Sequence, residues 1–148
     1  MNGERRTPMS VLLVDDDPGD AVLVREAFAR ARLRNEVVVV GDGVLALEHL
    51  RDPAMLTPDL VLLDLNLPRK DGREVLAEIR ADAALTHLPV VILTTSEAES
   101  DIRRSYELHA NAYVSKPTDL GRFFEVLREI DAFFASVVKL PSRAGGFV

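Results

Sequence analysis

Three aspartates stand in a row at Asp15, Asp16 and Asp17, directly after the apolar run VLLV. Other chemically capable residues recur in the same setting further along the chain. Asp64 follows LVLL, Thr94 follows VVIL and Lys116 follows AYVS. As one set they offer several carboxylates, a hydroxyl and an ammonium, with no histidine or cysteine. Carboxylates within a few ångströms of one another do not all stay ionised unless a cation neutralises them. Oxygen ligands in small number suit Mg²⁺, which keeps waters and accepts phosphate oxygens. Lys and Thr then supply donors for the remaining oxygens of a phosphoryl group. Such a set stabilises in-line phosphoryl transfer by positioning and charge neutralisation. An aspartate can itself be the covalent acceptor, as an aspartyl phosphate.

These residues meet only if the chain brings the ends of its apolar runs together. Short β-branched runs alternate with helical patterns throughout. Strands are predicted over Ser10–Val14, Glu36–Val40, Asp59–Leu63, Pro89–Leu93 and Ala112–Ser115. Helices are predicted over Pro18–Ala31, Val44–Leu50, Arg73–Ala81, Glu97–His109 and Leu120–Ser136. Strand–helix alternation of this kind implies an α/β fold, a (βα)5 doubly wound parallel sheet with helices on both faces. The apolar, non-alternating strands agree, because parallel strands are buried on both sides. Ligands of open α/β sheets bind beside the C-terminal ends of the strands, where the strand order reverses. Asp15, Asp16, Asp64, Thr94 and Lys116 all fall at such ends. Asp17 comes just before Pro18, the N-cap position with proline at the first helical residue.

The 148 residues suit one domain. Residues 10–136 are expected to form it, with a lead over 1–9 and a tail over 137–148. The chain is 47% hydrophobic and 28% charged, an ordinary balance for a globular protein. Eighteen basic against 24 acidic residues give a net charge of -6, which disfavours nonspecific nucleic-acid binding and anionic membranes. With no cysteine, disulfides, thiolate zinc sites and thiol catalysis are excluded. No apolar stretch approaches the roughly 20 residues of a membrane span, and the polar start lacks the apolar core of a signal peptide. The expected location is cytoplasmic. His49, His87 and His109 are scattered on predicted surface segments and are read as structural.

The motifs VLLVDD, LVLLDLNLPRKDG, VVILTT and AYVSKP, in this order and spacing, resemble the receiver domain of two-component response regulators over essentially the whole chain. The resemblance implies a flavodoxin-like sheet of strand order 2-1-3-4-5. It makes Asp64 the phosphoacceptor. Asp15 and Asp16 become the acidic pair that holds Mg²⁺, with Asp64 and the backbone carbonyl of Asn66 completing the protein ligands. Thr94 matches the hydroxyl that moves onto the phosphoryl group, and Lys116 the lysine that neutralises it. Tyr113 matches the aromatic switch position, and the Lys116–Pro117 bond a usually cis peptide. A sensor histidine kinase is the implied partner. The phrases DDDPGDAVLVREAF, LDLNLPRKDGREVL, VVILTTSE and FFASVVKLP are similar to those of small stand-alone regulators that partner phytochrome-type kinases, bacteriophytochromes among them. Phosphorylation is then expected to switch the surface of helix four, strand five and helix five.

Helix five suggests how that surface is read. Leu120, Phe123, Phe124, Leu127 and Phe134 make one broad apolar stripe, sufficient for docking on the sheet. Val126, Ile130, Phe133 and Val137 lie at i, i+4, i+7 and i+11 and make a second. Homodimerisation through the switched face is the expected use.

Each residue alone has a plainer reading. The aspartates could form a solvated acidic turn, Lys116 could be a surface lysine, and Tyr113 could simply pack. A haloacid-dehalogenase-like phosphohydrolase is the enzyme alternative, with Asp15 as nucleophile and Asp17 as acid/base. That family requires a further acidic motif after the lysine, which PTDLGRFFEVLREID lacks, and it gives Asp64 no task. A degenerate receiver acting only as an interaction module is a third reading, opposed by the full set of required side chains.

Overall fold

A β-strand buried on both faces needs apolar residues at every position. Val11–Val14, Leu60–Leu63 and Val90–Leu93 satisfy this, each residue being almost fully buried. In the computed structural model, residues 9–30, 35–95 and 99–116, with 125, 128, 129 and 132, are described. The strands are β1 (Met9–Val14), β2 (Asn35–Val40), β3 (Leu60–Leu63), β4 (Val90–Thr94) and β5 (Ala112–Ser115). The helices are α1 (Pro18–Arg30), α2 (Gly43–Arg51), α3 (Gly72–Ala81) and α4 (Glu99–Glu107). All strand pairs are parallel and the sheet order is β2-β1-β3-β4-β5. The expected α/β class and strand order are therefore present.

The period of two along each strand divides the core between the two faces. Leu12, Val14, Val61, Leu63, Val90 and Ile92 pack with Ala46, Leu47 and Leu50 of α2 and with Val75, Leu76 and Ile79 of α3. Val11, Leu13, Leu60, Leu62, Val91 and Leu93 face the other way and pack with Ala21, Val24, Ala27 and Phe28 of α1. Fully burying one such Leu or Val side chain contributes about 1.5–3 kcal/mol. This two-sided core holds the strand ends in one row.

Several boundaries differ from the sequence pattern. Thr94 is the last residue of β4, because its backbone pairs with Ser115. Asp59 stands before β3 and not in it. Its amide donates to Ser10 O at 2.8 Å and its Oδ2 accepts Ser10 N–H at 2.9 Å, tying the loop to β1. Helix α4 stops at Glu107, and His109 takes the left-handed conformation with φ 65°, a usual way to end a helix. Ala110 N–H then closes onto Ser105 O at 2.9 Å. The expected fifth helix falls mostly outside the described residues; of those described within it, Glu125, Arg128, Glu129 and Ala132 have helical backbone. The dimer-face residues Val126, Ile130, Phe133 and Val137, and the Lys116–Pro117 bond, lie outside the described residues.

Candidate functional site

The parallel register sets the site's floor. Val14 pairs with both Val40 and Leu63, and Thr94 with Ser115. The residues next in line, Asp15, Asp64 and Lys116, leave the sheet on one edge. Asp15 N–H donates to Val40 O at 3.0 Å and Asp64 N–H to Val14 O at 3.0 Å. Lys116 N–H donates to Thr94 O at 2.7 Å. The strand ladder thus continues one step into the site and fixes the backbone of three of its residues.

Asp64 is buried, and both of its oxygens are engaged. Thr94 Oγ1 donates to Oδ1 at 2.7 Å and Asn66 N–H to the same oxygen at 3.2 Å. Lys116 Nζ reaches Oδ2 at 3.1 Å. The same ammonium lies 2.6 Å from Asp15 Oδ2 and 2.6 Å from Asp20 Oδ2. Asp20 belongs to the first turn of α1, so one cation ties β5 to β1, β3 and α1. Asp15 is also buried, and its Oδ1 accepts Asp17 N–H at 2.9 Å. Asp16 and Asn66 are exposed. Tyr113 is half-buried, pairs with Ile92 and packs on the α2–α3 side of the core.

Among the described residues, four carboxyl groups (Asp15, Asp16, Asp20 and Asp64) gather around one ammonium at this edge. Burial pushes the Asp15 carboxyl up to about 6, against the opposing pull of its hydrogen bonds from Lys116 and Asp17 N–H. Burial alone would pull the Lys116 ammonium down. Its hydrogen bonds to Asp15 and Asp20 outweigh that and hold it above the ordinary lysine value. Such a site attracts a cation. One carboxylate oxygen from each of Asp15, Asp16 and Asp64 lies within 4.8 Å of the other two. Oxygen-only donors at this spacing fit a hard divalent ion.

Asp17 stands apart from this set. It is exposed, and its Oδ1 accepts Gly19 N–H at 2.9 Å at the start of α1. This bond gives Asp17 the N-cap task that its place before Pro18 suggests.

Two residues at the site carry no role in the sequence reading. Asp20 stands in the first turn of α1, where an acid suits the helix N-terminus, and only the fold shows it against Lys116. Gly72 opens α3 beneath the Asp64 loop. A β-carbon there would come within 2.2 Å of Asp64 O and 2.8 Å of Leu65 Cα. Backbone must therefore pass directly against backbone, and Gly72 N–H bonds to Leu65 O at 3.0 Å. Asp71 caps the same helix in a capping box with Glu74. The DG pair in the motif is the visible signal of both.

Comparison with known proteins places this geometry. The family model for the response regulator receiver domain matches residues 11–128. Response regulator Rcp1 from Synechocystis sp. is 41% identical over 146 residues, 96% of this chain and 99% of that protein. The solved structure of the phosphorylated cyanobacterial phytochrome response regulator RcpA superposes with a TM-score of 0.85 at 45% identity, covering 92% of this chain and all of that one. The Mn²⁺-bound form of Rcp1 superposes with a TM-score of 0.82 at 42% identity, covering 91% and 100%. By the family model over most of its length and by these relatives, this chain belongs to the receiver-domain family of response regulators.

Proposed function

We propose that Asp64 accepts a phosphoryl group from the phosphohistidine of a sensor kinase in an Mg²⁺-dependent reaction. The observation that carries this is the convergence of Thr94 and Lys116 on the two oxygens of Asp64, with Asp15 and Asp16 alongside. In the transfer, an Asp64 oxygen forms a bond to phosphorus as the phosphorus–nitrogen bond to the kinase imidazole breaks. The electron pair stays with that nitrogen. Asp15, Asp16, Asp64 and the Asn66 carbonyl would hold Mg²⁺, which supplies positive charge against the equatorial phosphoryl oxygens. Lys116 neutralises another of those oxygens. Thr94, now bonded to Asp64, passes its hydroxyl hydrogen bond to the phosphoryl group, and Tyr113 on the next strand follows the change in packing.

The chain is not itself a separate hydrolase in this reading; it supplies the groups for its own phosphorylation and dephosphorylation. A phytochrome-type kinase, bacteriophytochromes included, is the proposed partner, supported by the likeness to Rcp1 and RcpA. The proposed unit is a cytoplasmic receiver over residues 10–136, and its output a homodimer through Val126, Ile130, Phe133 and Val137, supported by their helical spacing. The charge of -6 supports a protein partner over nucleic acid or membrane.

The decisive experiment is phosphotransfer profiling against the histidine kinases of the host, followed by borohydride reduction to locate the phosphoaspartate. Label on Asp64 from a phytochrome-type kinase is the expected result. Label on Asp15 would favour the phosphohydrolase. Sedimentation should show a dimer at micromolar concentration, and monomers with and without phosphorylation would remove the dimer from the proposal.

A further inference from the structure

Lys116 is held by one more carboxylate than transfer onto Asp64 calls for. An ammonium has three donors, and all three are directed at carboxylates. The contacts to Asp15 and Asp20 are 2.6 Å, while that to Asp64 is 3.1 Å. We propose that Asp20 is a positioning residue for Lys116, the anchor that keeps the ammonium beside Asp64 while Asp15 and Asp64 are engaged elsewhere.

The three partners differ in what else they must do. Asp15 and Asp64 belong to the trio whose oxygens lie within 4.8 Å of one another. A divalent cation drawn there competes with the ammonium for their charge and repels it. Phosphorylation then converts one Asp64 oxygen into the bridging anhydride oxygen of an acyl phosphate. Asp20 is outside that trio and has neither task. Offsetting the dipole of α1 would not require it to face a lysine, and Gly19 N–H in that turn is already taken by Asp17. The side chains of Asp20 and Lys116 are 21% and 11% exposed. A pair shielded to that degree is screened less than a surface ion pair. Asp20 therefore gives Lys116 an attachment to α1 that survives the chemistry at β1 and β3.

This inference rests on the function proposed above, and the test separates the two. Wild type, Asp20→Asn and Asp20→Ser are compared as full chains of matched melting temperature. The first readout is reductive methylation of Lys116 with formaldehyde and cyanoborohydride, mapped by peptide mass against Lys70, which is paired with Glu78. Both variants should raise the Lys116-to-Lys70 ratio about fivefold, because a side chain released from its 2.6 Å contact to Asp20 leaves its enclosed position more readily and meets the reagent. The second readout is labelling by acetyl phosphate at saturating Mg²⁺, which should slow about threefold to tenfold as the ammonium loses its fixed position. An unchanged methylation ratio in both variants overturns the anchoring. A raised ratio with unchanged labelling overturns its contribution to the reaction. Wild type that methylates as expected yet never labels overturns the proposed function and leaves the anchoring supported.

Discussion

Two buried-side cations sit at opposite edges of the same sheet, and their partners could hardly differ more. Lys116, at the C-terminal edge, is surrounded by the carboxylates of Asp15, Asp20 and Asp64. Arg80, near the end of α3, is bound by carbonyl and amide oxygens instead. It donates to His109 O at 2.9 Å, Thr86 O at 2.8 Å, Leu88 O at 2.7 Å and Asn111 Oδ1 at 3.1 Å. Asn111 Oδ1 also accepts Val90 N–H, so this cluster pins the entry to β4. Charge partners raise the pKa of Lys116, whereas burial alone lowers that of Arg80. A cation among dipoles fastens loops that never need to let go. A cation among anions in excess stands where charge is to be exchanged, since those anions can turn to a metal or a phosphoryl group instead.

Four experiments bear on that contrast. On metal affinity, the largest effect belongs to the anionic edge. Asp16→Ala should weaken Mg²⁺ binding by about tenfold or more, read by titration calorimetry, because each carboxylate removed takes charge from the cation site. Equal affinity in the variant would show that the metal is held elsewhere.

The second effect is on stability against pH, in EDTA. Asp15 rises from 3.8 to about 6 on folding. The native state then binds more protons than the unfolded chain between these values, so this group's contribution is full below the lower one and is lost as pH rises through about 6. With solvent screening at this edge, the loss is on the order of 1–2 kcal/mol. Urea midpoints of wild type minus those of Asp15→Asn should trace that fall, and a flat difference would contradict it. Asp15 must also be ionised to hold a metal, so Mg²⁺ affinity should drop as pH falls below about 6.

At the opposite edge, Arg80→Ala should cost about 2 kcal/mol of stability, as several carbonyl acceptors lose their donor. Acetyl phosphate labelling well below the melting temperature should be unaffected. Arg80→Lys should rescue little, because a point charge does not span acceptors that a planar fork reaches together. A labelling defect in Arg80→Ala would erase the distinction between the edges. The smallest effect is at the cap. Asp17→Ala should cost about 1 kcal/mol, by thermal denaturation, with Mg²⁺ affinity little changed. If Asp17→Ala weakened Mg²⁺ more than Asp16→Ala, the metal pair would be displaced by one residue.

Much of this protein is visible in its local pattern. Runs such as LVLL and VVIL announce buried parallel strands because no face of them tolerates a polar residue. The polar residue that follows each run is conspicuous for the same reason. Asp64, Thr94 and Lys116 were thus legible together, as was the acidic run after β1. The strand edges were less so. Asp59 looks like a strand residue until its carboxylate is seen bonding to Ser10 N–H, and Thr94 joins β4 only because Ser115 pairs with it.

Asp20 and Gly72 show what local pattern does not carry. Each has an ordinary local explanation, a first-turn acid and a residue at a helix start. Their places beside Lys116 and Asp64 arise from contacts across 96 residues in one case and from close backbone approach in the other. Local pattern was enough to mark the residues suited to phosphoryl chemistry and the parallel strands that carry them, because burial and alternation are local demands. How one ammonium is shared among three carboxylates emerges only on folding. That sharing depends on distances between separate elements, and packing alone sets those distances.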